Sequence, residues 1–438
     1  MRRESLALAI EALSWMAYTG IGERAALLKA SRQMKISGAG NLRQAHKWIM
    51  ETSRFQNQLD WIISQTASED RMKDASHGVR SLFRLVAYMK FVDPKPAPEL
   101  ERVVGWARQT IGWRELRPYE EDLARLLYRS RTPSTRGLSE FEKLGVDTCH
   151  PAWYVRRLAV VFGMNTALKI LKRDLLPVAN FVRMNDLKAN EDNMPLDQLH
   201  ATASSVPNVY VLGKVSRADN RAELASSGKI VIQDLASIVA GLVASPQPGQ
   251  VVLDICAAPG NKTSHLAAQM NNEGDIYSIE LSAGRAFHWR KEMERTSCSI
   301  ASLVLGDARK LPLHVQANVA LVDPPCSNSG VFARNPASKW RVNPARLKEL
   351  IRSQSEILEA TAERLADGGT LVYCTCSILP EENELVVENF LKRNQDFKLT
   401  TQAPFVGSNG LRGLSECQRF YPHLHDCNGY FIAKLRKG

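Results

Sequence analysis

Hydrophobic positions change their rhythm twice along the chain. Up to about residue 145 they recur every three or four residues, as in Leu6, Ile10, Leu13 and Met16, which is the stripe of an amphipathic helix. That spacing predicts helices over 5–18, 42–64, 79–91 and 100–111. Gly and Pro fall mainly between them, and strand-like alternation is nearly absent. An all-α module of five to seven helices is expected. Between 150 and 245 the pattern is mixed. It predicts a helix over 153–175, short strands at 180–184, 209–212 and 229–233, and a helix over 235–243. After the turn Pro246-Gln247-Pro248-Gly249, short apolar runs lie at 251–256, 275–281, 302–307, 319–325 and 370–376, separated by helical stretches such as 347–365. Apolar runs without alternation mark strands buried on both faces, hence a parallel sheet in an α/β domain. Three domains are therefore expected: 1–145, 150–245 and 246–438.

Composition narrows the class. A hydrophobic fraction of 44% and a charged fraction of 24% describe a folded globular chain. No apolar run approaches the ~18–20 residues that span a bilayer. The opening Met1-Arg2-Arg3 imitates a leader, but Glu11 cuts the apolar stretch that follows, so a cytoplasmic protein without membrane contact is expected. Eight cysteines without a secretory signal read as reduced thiols. The net charge of +11 suits a polyanionic partner such as nucleic acid. Residues 1–150 carry 24 basic and 18 acidic side chains, and 17 of the basic ones are Arg, whose planar fork suits phosphate. No obligate protein partner is evident.

The candidate chemistry lies at strand ends. The first α/β strand runs into Cys256-Ala257-Ala258-Pro259-Gly260-Asn261-Lys262, where small residues let a ligand approach the backbone and the next helix offers N–H groups. It is neither a dinucleotide fingerprint nor a phosphate-binding P-loop by spacing. The second strand ends at Glu280, placed to hold ribose hydroxyls, and the third at Asp307, placed to accept from an adenine amine. Each acid alone reads equally well as a solvated charge; at successive strand tips they favour an adenosine cofactor.

The fourth strand ends Asp323-Pro324-Pro325-Cys326 and the fifth Cys374-Thr375-Cys376. Cys374 reads as a small buried hydrophobe. Cys326 and Cys376 lie where strands leave the sheet, where α/β enzymes place chemistry. Two thiols beside a sulfonium cofactor point to cytosine C5. A thiolate added to C6 makes C5 nucleophilic, and Asp323 is placed near N3 to stabilise developing charge. A base then removes the C5 proton, and the second thiol assists release of the first.

From about 151 onward the chain resembles the RsmB/Sun/NSUN family of RNA 5-methylcytosine methyltransferases. The matching stretches are QDLAS (233–237), LDICAAPGNKT (253–263), GDARKLP (306–312), VDPPCSNSGVF (322–332), YCTCSILPEENE (373–384) and PHLHDCNGYFIAKL (422–435). The resemblance implies a Rossmann-like, S-adenosylmethionine-dependent methyltransferase domain. It makes Cys376 the nucleophile and Cys326 the residue that assists product release. It places Cys256, Ala257, Ala258, Pro259, Gly260, Asn261, Lys262, Glu280, Asp307 and Asp323 at or beside the cofactor. Asn261 stands where the family usually has Gly, Glu280 where Asp is commoner, and Pro324 where Ala is usual. Asp-Pro-Pro is similar to the motif of amino-methyltransferases, but Cys326 occupies the position that is aromatic there.

The segment 1–145 resembles the NusB-like domain of RsmB-type members by order, length and helicity, and 150–245 resembles a small α+β RNA-recognition-like linker. These imply RNA as the partner, ribosomal RNA ahead of tRNA. Arg334, Lys339, Trp340 and Arg341 follow Cys326 and are candidates to grip RNA and stack a base, or a basic loop with Trp340 packed as a lid. Cys417, His423, His425 and Cys427 fit no usual zinc spacing, although the last three would share one face of a strand, and no metal is expected. Two other readings remain: methylation of a nitrogen, or an RNA-binding assembly factor that does not catalyse.

Overall fold

A computed structural model describes residues 2–188, 199–213 and 220–438. The chain forms two compact units, Met1–Leu176 with Phe332–Asn343, and Pro177–Val331 with Pro344–Gly438. The expected segment 150–245 is thereby shared between them, its helices before residue 177 in the first and its strands in the second.

The first unit is helical throughout its described residues. Its helices are α1 (Arg3–Thr19), α2 (Glu23–Met34), α3 (Ala39–Arg54), α4 (Gln56–Ser64), α5 (Glu69–Asp74), α6 (His77–Phe91), α7 (Ala97–Thr110), α8 (Trp113–Leu116), α9 (Glu120–Tyr128), α10 (Glu140–Thr148), α11 (Ala152–Phe162) and α12 (Met164–Arg173). Ten α-helices begin before 145 among the described residues, where five to seven were expected; the short α5 and α8 and the division of 42–64 into α3 and α4 make up the excess. α1 departs from its one-sided expectation: every residue from Ser5 to Ile10 is buried, because α2, α3, α6 and α7 all pack on it. The expected helix over 42–64 breaks at Phe55, and that over 153–175 breaks at Gly163, where φ is +76°.

Phe332–Asn343 completes this unit. Lys339 is 1% exposed, and its ammonium donates to the carbonyls of Arg54 (3.0 Å) and Cys149 (2.8 Å). Trp340 Nε1 donates to Ser53 O at 2.6 Å and Arg341 Nη2 to Ile21 O at 2.6 Å. Lys339 is thus buried on helix-end carbonyls, which corrects the expectation that it grips RNA, while Trp340 is half-buried and Arg341 is exposed. Arg334, beside them, is half-buried.

The second unit holds two sheets. Strands β1 (Asn180–Met184), β2 (Ala201–Ala203), β3 (Val209–Leu212) and, after α13 (Arg221–Ser226), β4 (Ile230–Ile232) form a small antiparallel sheet in the order β2-β3-β1-β4. Then follow α14 (Leu235–Ala244), β5 (Val251–Ile255), α15 (Asn261–Gln269), β6 (Asp275–Glu280), α16 (Ala283–Thr296), β7 (Ala301–Leu305), β8 (Ala317–Val322), α17 (Pro344–Ala362), β9 (Leu365–Thr375), α18 (Glu384–Arg393), β10 (Phe397–Leu399), β11 (Ser408–Asn409), β12 (Gln418–Phe420), α19 (Pro422–His425) and β13 (Tyr430–Lys437). The large sheet runs β11-β12-β13-β9-β8-β5-β6-β7, with β10 on β13. β5 to β9 pair in parallel, as their unbroken apolar runs require; β13 pairs antiparallel to β9, so the sheet is mixed at one edge. This is a Rossmann-like fold with a helical region before it. Leu253, Ile255, Ile279, Ala320, Val322 and Tyr373 share one core with Leu358 and Val387 of the covering helices.

The chain proceeds from β5 outward to β7 and then returns to lay β8 on the other side of β5. The crevice at this switch point is where an open α/β sheet takes its ligand. His423 and His425 lie on the helical turn α19, so the strand alternation assumed for them does not apply. Instead His425 Nδ1 accepts from Tyr421 N at 2.9 Å. No described helix is long and apolar enough to cross a membrane.

Candidate functional site

At the tip of β5 the chain must turn sharply into α15. Cys256 adopts φ +65° and Gly260 φ +112°. A φ of +112° is one that L side chains rarely adopt, so this cap requires glycine. Cys256, Ala257, Ala258, Pro259, Asn261, Lys262 and Asp323, with Ser237 and Asp254, line one cavity of about 90 Å³. Seven of the ten expected cofactor residues therefore converge on it. Gly260 shapes the turn, while Glu280 and Asp307 stand outside the lining. Glu280 accepts from Ser282 N (2.9 Å) and Ala258 N (3.3 Å), which clamps the loop to the tip of β6. Asp307 is forked by Arg309, whose hydrogen bonds hold its carboxyl below the usual carboxylate range.

Asp254 was not singled out by sequence, although a lone acid in an apolar strand is a readable signal. It is 1% exposed; its Oδ2 accepts from Thr263 Oγ1 at 2.5 Å, and its Oδ1 is buried with no partner among the described residues. Burial lifts its pKa to about 6. Lys262 Nζ lies 2.6 Å from Asp323 Oδ2. Burial works against the ammonium, yet the Asp323 carboxylate holds its pKa above the ordinary lysine value. A buried carboxylate oxygen without a donor, a paired ammonium and small residues beneath fit a ligand that carries both a cationic amine and a carboxylate.

The thiols sit one strand over. β8 and β9 are adjacent and parallel, with Val322 opposite Tyr373, so the turns after them are neighbours. Cys326 Sγ and Cys376 Sγ are 3.2 Å apart. Cys376 is half-buried, and its thiol donates to Asn328 Oδ1 at 3.1 Å. Cys326 is buried; its hydrogen bond to Cys376, and then burial, push its thiol well above the ordinary range. Cys374 is fully buried and takes a hydrogen bond from Tyr430 OH at 3.4 Å, in keeping with a packing role.

The backbone of the Cys326 turn is pressed against the entry to β13. Gly330 N donates to Cys376 O (2.9 Å) and Gly429 N to Gly330 O (2.7 Å), and a Cβ on Gly330 would meet Gly429 O at 2.0 Å. Asn328 and Glu382, both in contact with this site, lie inside two of the stretches that carry the family resemblance, but their partners are set by the fold and sequence alone assigned them no role. No disulfide joins the eight cysteines, and no metal-binding group of His, Cys, Asp and Glu forms among the described residues.

Comparison with known proteins follows the same geometry. Residues 241–436 match the family model described as 16S rRNA methyltransferase RsmB/F. The chain is 30% identical over 349 residues to a probable ribosomal RNA small subunit methyltransferase B of Bacillus subtilis, covering 74% of this chain and 75% of that one. It is 38% identical over 207 residues to a tRNA (cytosine(72)-C(5))-methyltransferase of Pyrococcus horikoshii, covering 47% and 51%. Among solved structures, PH0851 superposes with a TM-score of 0.86 at 26% identity, covering 100% of this chain and 99% of that one. NSun6 from Pyrococcus horikoshii with SFG gives 0.59 at 25% identity, covering 66% and 98%.

Proposed function

The chain belongs to the RsmB/F family of S-adenosylmethionine-dependent RNA cytosine-C5 methyltransferases, and we propose that it acts through a covalent adduct between Cys376 and C6 of a cytosine in small-subunit ribosomal RNA. The observation that carries this reading is the 3.2 Å approach of Cys326 and Cys376 beside the Asp254–Asp323 cavity.

When bound, S-adenosylmethionine supplies an electrophilic methyl group to C5 and leaves as the thioether. Asp254 Oδ1 would accept from its amine, and the α15 N-terminus would face its carboxylate. The target base must leave its stack to reach the thiols. Cys376 attacks as the thiolate, forming a C6–S bond while charge moves to N3 and O2 of the ring. The Asp323–Lys262 pair stands against that charge. Cys326 stays protonated, because its hydrogen bond to Cys376 and its burial hold its thiol well above the ordinary range. After methylation a solvent base takes the C5 proton, the C5–C6 double bond re-forms, and the C6–S bond breaks. The Cys376 thiolate departs stabilised by the S–H of Cys326.

The helical segment 1–145 serves as a NusB-like RNA-binding domain. Four relatives named for the small ribosomal subunit match 66–88% of the chain and a fifth 48%, two named for 28S rRNA match 78%, and the tRNA enzyme matches 47%, which favours ribosomal RNA. Bisulfite mapping of RNA from cells with and without the gene tests the target. A lost 5-methylcytosine confined to tRNA would overturn it.

A further inference from the structure

Glu382 lies between β9 and α18 and is fully buried, with no ion pair among the described residues. Its two oxygens take four donors. Oε1 accepts from Ser327 N (2.8 Å) and Gln354 Nε2 (3.0 Å). Oε2 accepts from Ser327 Oγ and Ser377 Oγ, both at 2.5 Å. Ser327 and Ser377 are the residues that directly follow Cys326 and Cys376. One carboxyl group therefore ties together the two turns that carry the thiols. Gln354 Nε2 also holds Pro325 O at 3.0 Å, which fixes the Cys326 turn from its other side.

The proton arrangement requires an acceptor at this position. Ser327 Oγ accepts from Ser329 N (3.3 Å) and Ser377 Oγ from Leu379 N (3.1 Å); the two hydroxyls lie 3.2 Å apart and Ser329 Oγ is 2.9 Å from Ser377 Oγ, but for each the shortest contact is the carboxyl oxygen at 2.5 Å, which is where their protons are best received. An amide nitrogen in place of Oε2 would meet those protons with its own. Burying a carboxylate without a cation is costly, and burial does raise the Glu382 pKa against its hydrogen bonds. A group kept at that cost, on both cysteine turns and on neither strand, is explained by the spacing it enforces.

We propose that Glu382 is a positioning residue that sets the separation and aim of the Cys326 and Cys376 thiols by clamping Ser327 and Ser377. This rests on the catalytic roles given to the two thiols above. It adds to them a group that touches neither RNA nor cofactor.

The test uses the full chain with Glu382→Gln, which preserves size. The first readout is methyl transfer from radiolabelled S-adenosylmethionine to small-subunit ribosomal RNA purified from cells that lack the gene. We expect kcat to fall roughly 30- to 100-fold, as for a displacement of about 1 Å, while KM for S-adenosylmethionine stays within about threefold. The second readout needs no catalysis. Reduced protein is treated with diamide, which oxidises the thiol pair to a disulfide and is itself reduced to the hydrazine, and the Cys326–Cys376 link is timed by peptide mass mapping. It should form about tenfold more slowly in the variant, a spacing change of the same order. If Glu382→Gln does not fold, Ser327→Ala and Ser377→Ala, each deleting one donor, decide the matter with kcat losses of about three- to tenfold. An unchanged kcat, an unchanged disulfide rate, or a fall in kcat matched by lost S-adenosylmethionine binding would each overturn the clamp. Should Cys376→Ala still methylate, the adduct reading fails instead, and the diamide rate still reports whether Glu382 sets the spacing.

Discussion

The tips of β5 and of β8 and β9 end in polar surfaces of opposite character. At β5 a buried carboxylate oxygen of Asp254 has no donor among the described residues, and the residues around it line a cavity. At β8 and β9, Glu382 Oε1 and Oε2 and the hydroxyls of Ser327, Ser329, Ser377 and Thr375 all hold partners within the chain. A buried polar atom left without a partner costs free energy, so the fold tolerates it where a ligand completes it. In that network Gln354 Oε1 is the buried polar atom left without a partner among the described residues, and a network so nearly filled fixes what stands on it. One tip is shaped to be filled, the other to stay still while bonds change.

Replacing the atom that reacts should break the second site most severely. Cys376→Ala is expected to lower methylation by at least about 10⁴-fold and to abolish any RNA–protein adduct on denaturing gels. Its neighbour should behave differently. Cys326→Ala is expected to slow turnover about 10²- to 10³-fold while the adduct accumulates, because the departing thiolate loses its donor. Were the adduct absent from both variants, the division of labour between the thiols would be wrong.

The first site should respond in binding. Asp254→Asn is expected to weaken S-adenosylmethionine about 10- to 100-fold by calorimetry, with folding intact. The same carboxyl gives the pH dependence its sign. Its pKa is raised to about 6, and the ionised form is the acceptor, so wild-type affinity should hold above pH 6 and fall as pH drops through it. Asp254→Asn should flatten that profile; a persisting slope would move the acceptor elsewhere. The smallest effect belongs to Cys374→Ala, which should leave methylation within about twofold and cost about 1 kcal/mol in urea unfolding.

Strand-end chemistry was legible in the sequence because it depends on order and period alone. The runs at 180–184 and 209–212 became strands with those bounds, and alternation put Cys374 deeper than Cys376. The rest depends on residues far apart. Lys339 reads as a solvated cation until Arg54, 285 positions away, supplies its carbonyl. Glu382 is one acid among several until Ser327, 55 positions earlier, donates to it. α1 shows a stripe in sequence, yet the helices that enclose its other sides are spread along the chain to α7. The antiparallel β13 escaped notice because its run beside β9 carries no period that separates parallel from antiparallel pairing.

The buried place of Lys339 also sets a schedule. Ribosomes deliver the helical unit first, and nascent domains begin to fold as they emerge. Yet the carbonyls of Arg54 and Cys149 receive their ammonium only after Phe332–Asn343 has left the ribosome, when the core strands up to β8 are outside as well. During that interval the earliest-made unit waits, incomplete, on a peg encoded within the part that does the chemistry. A nascent chain stalled before residue 332 should therefore expose a helical unit that proteases and chaperones can still recognise.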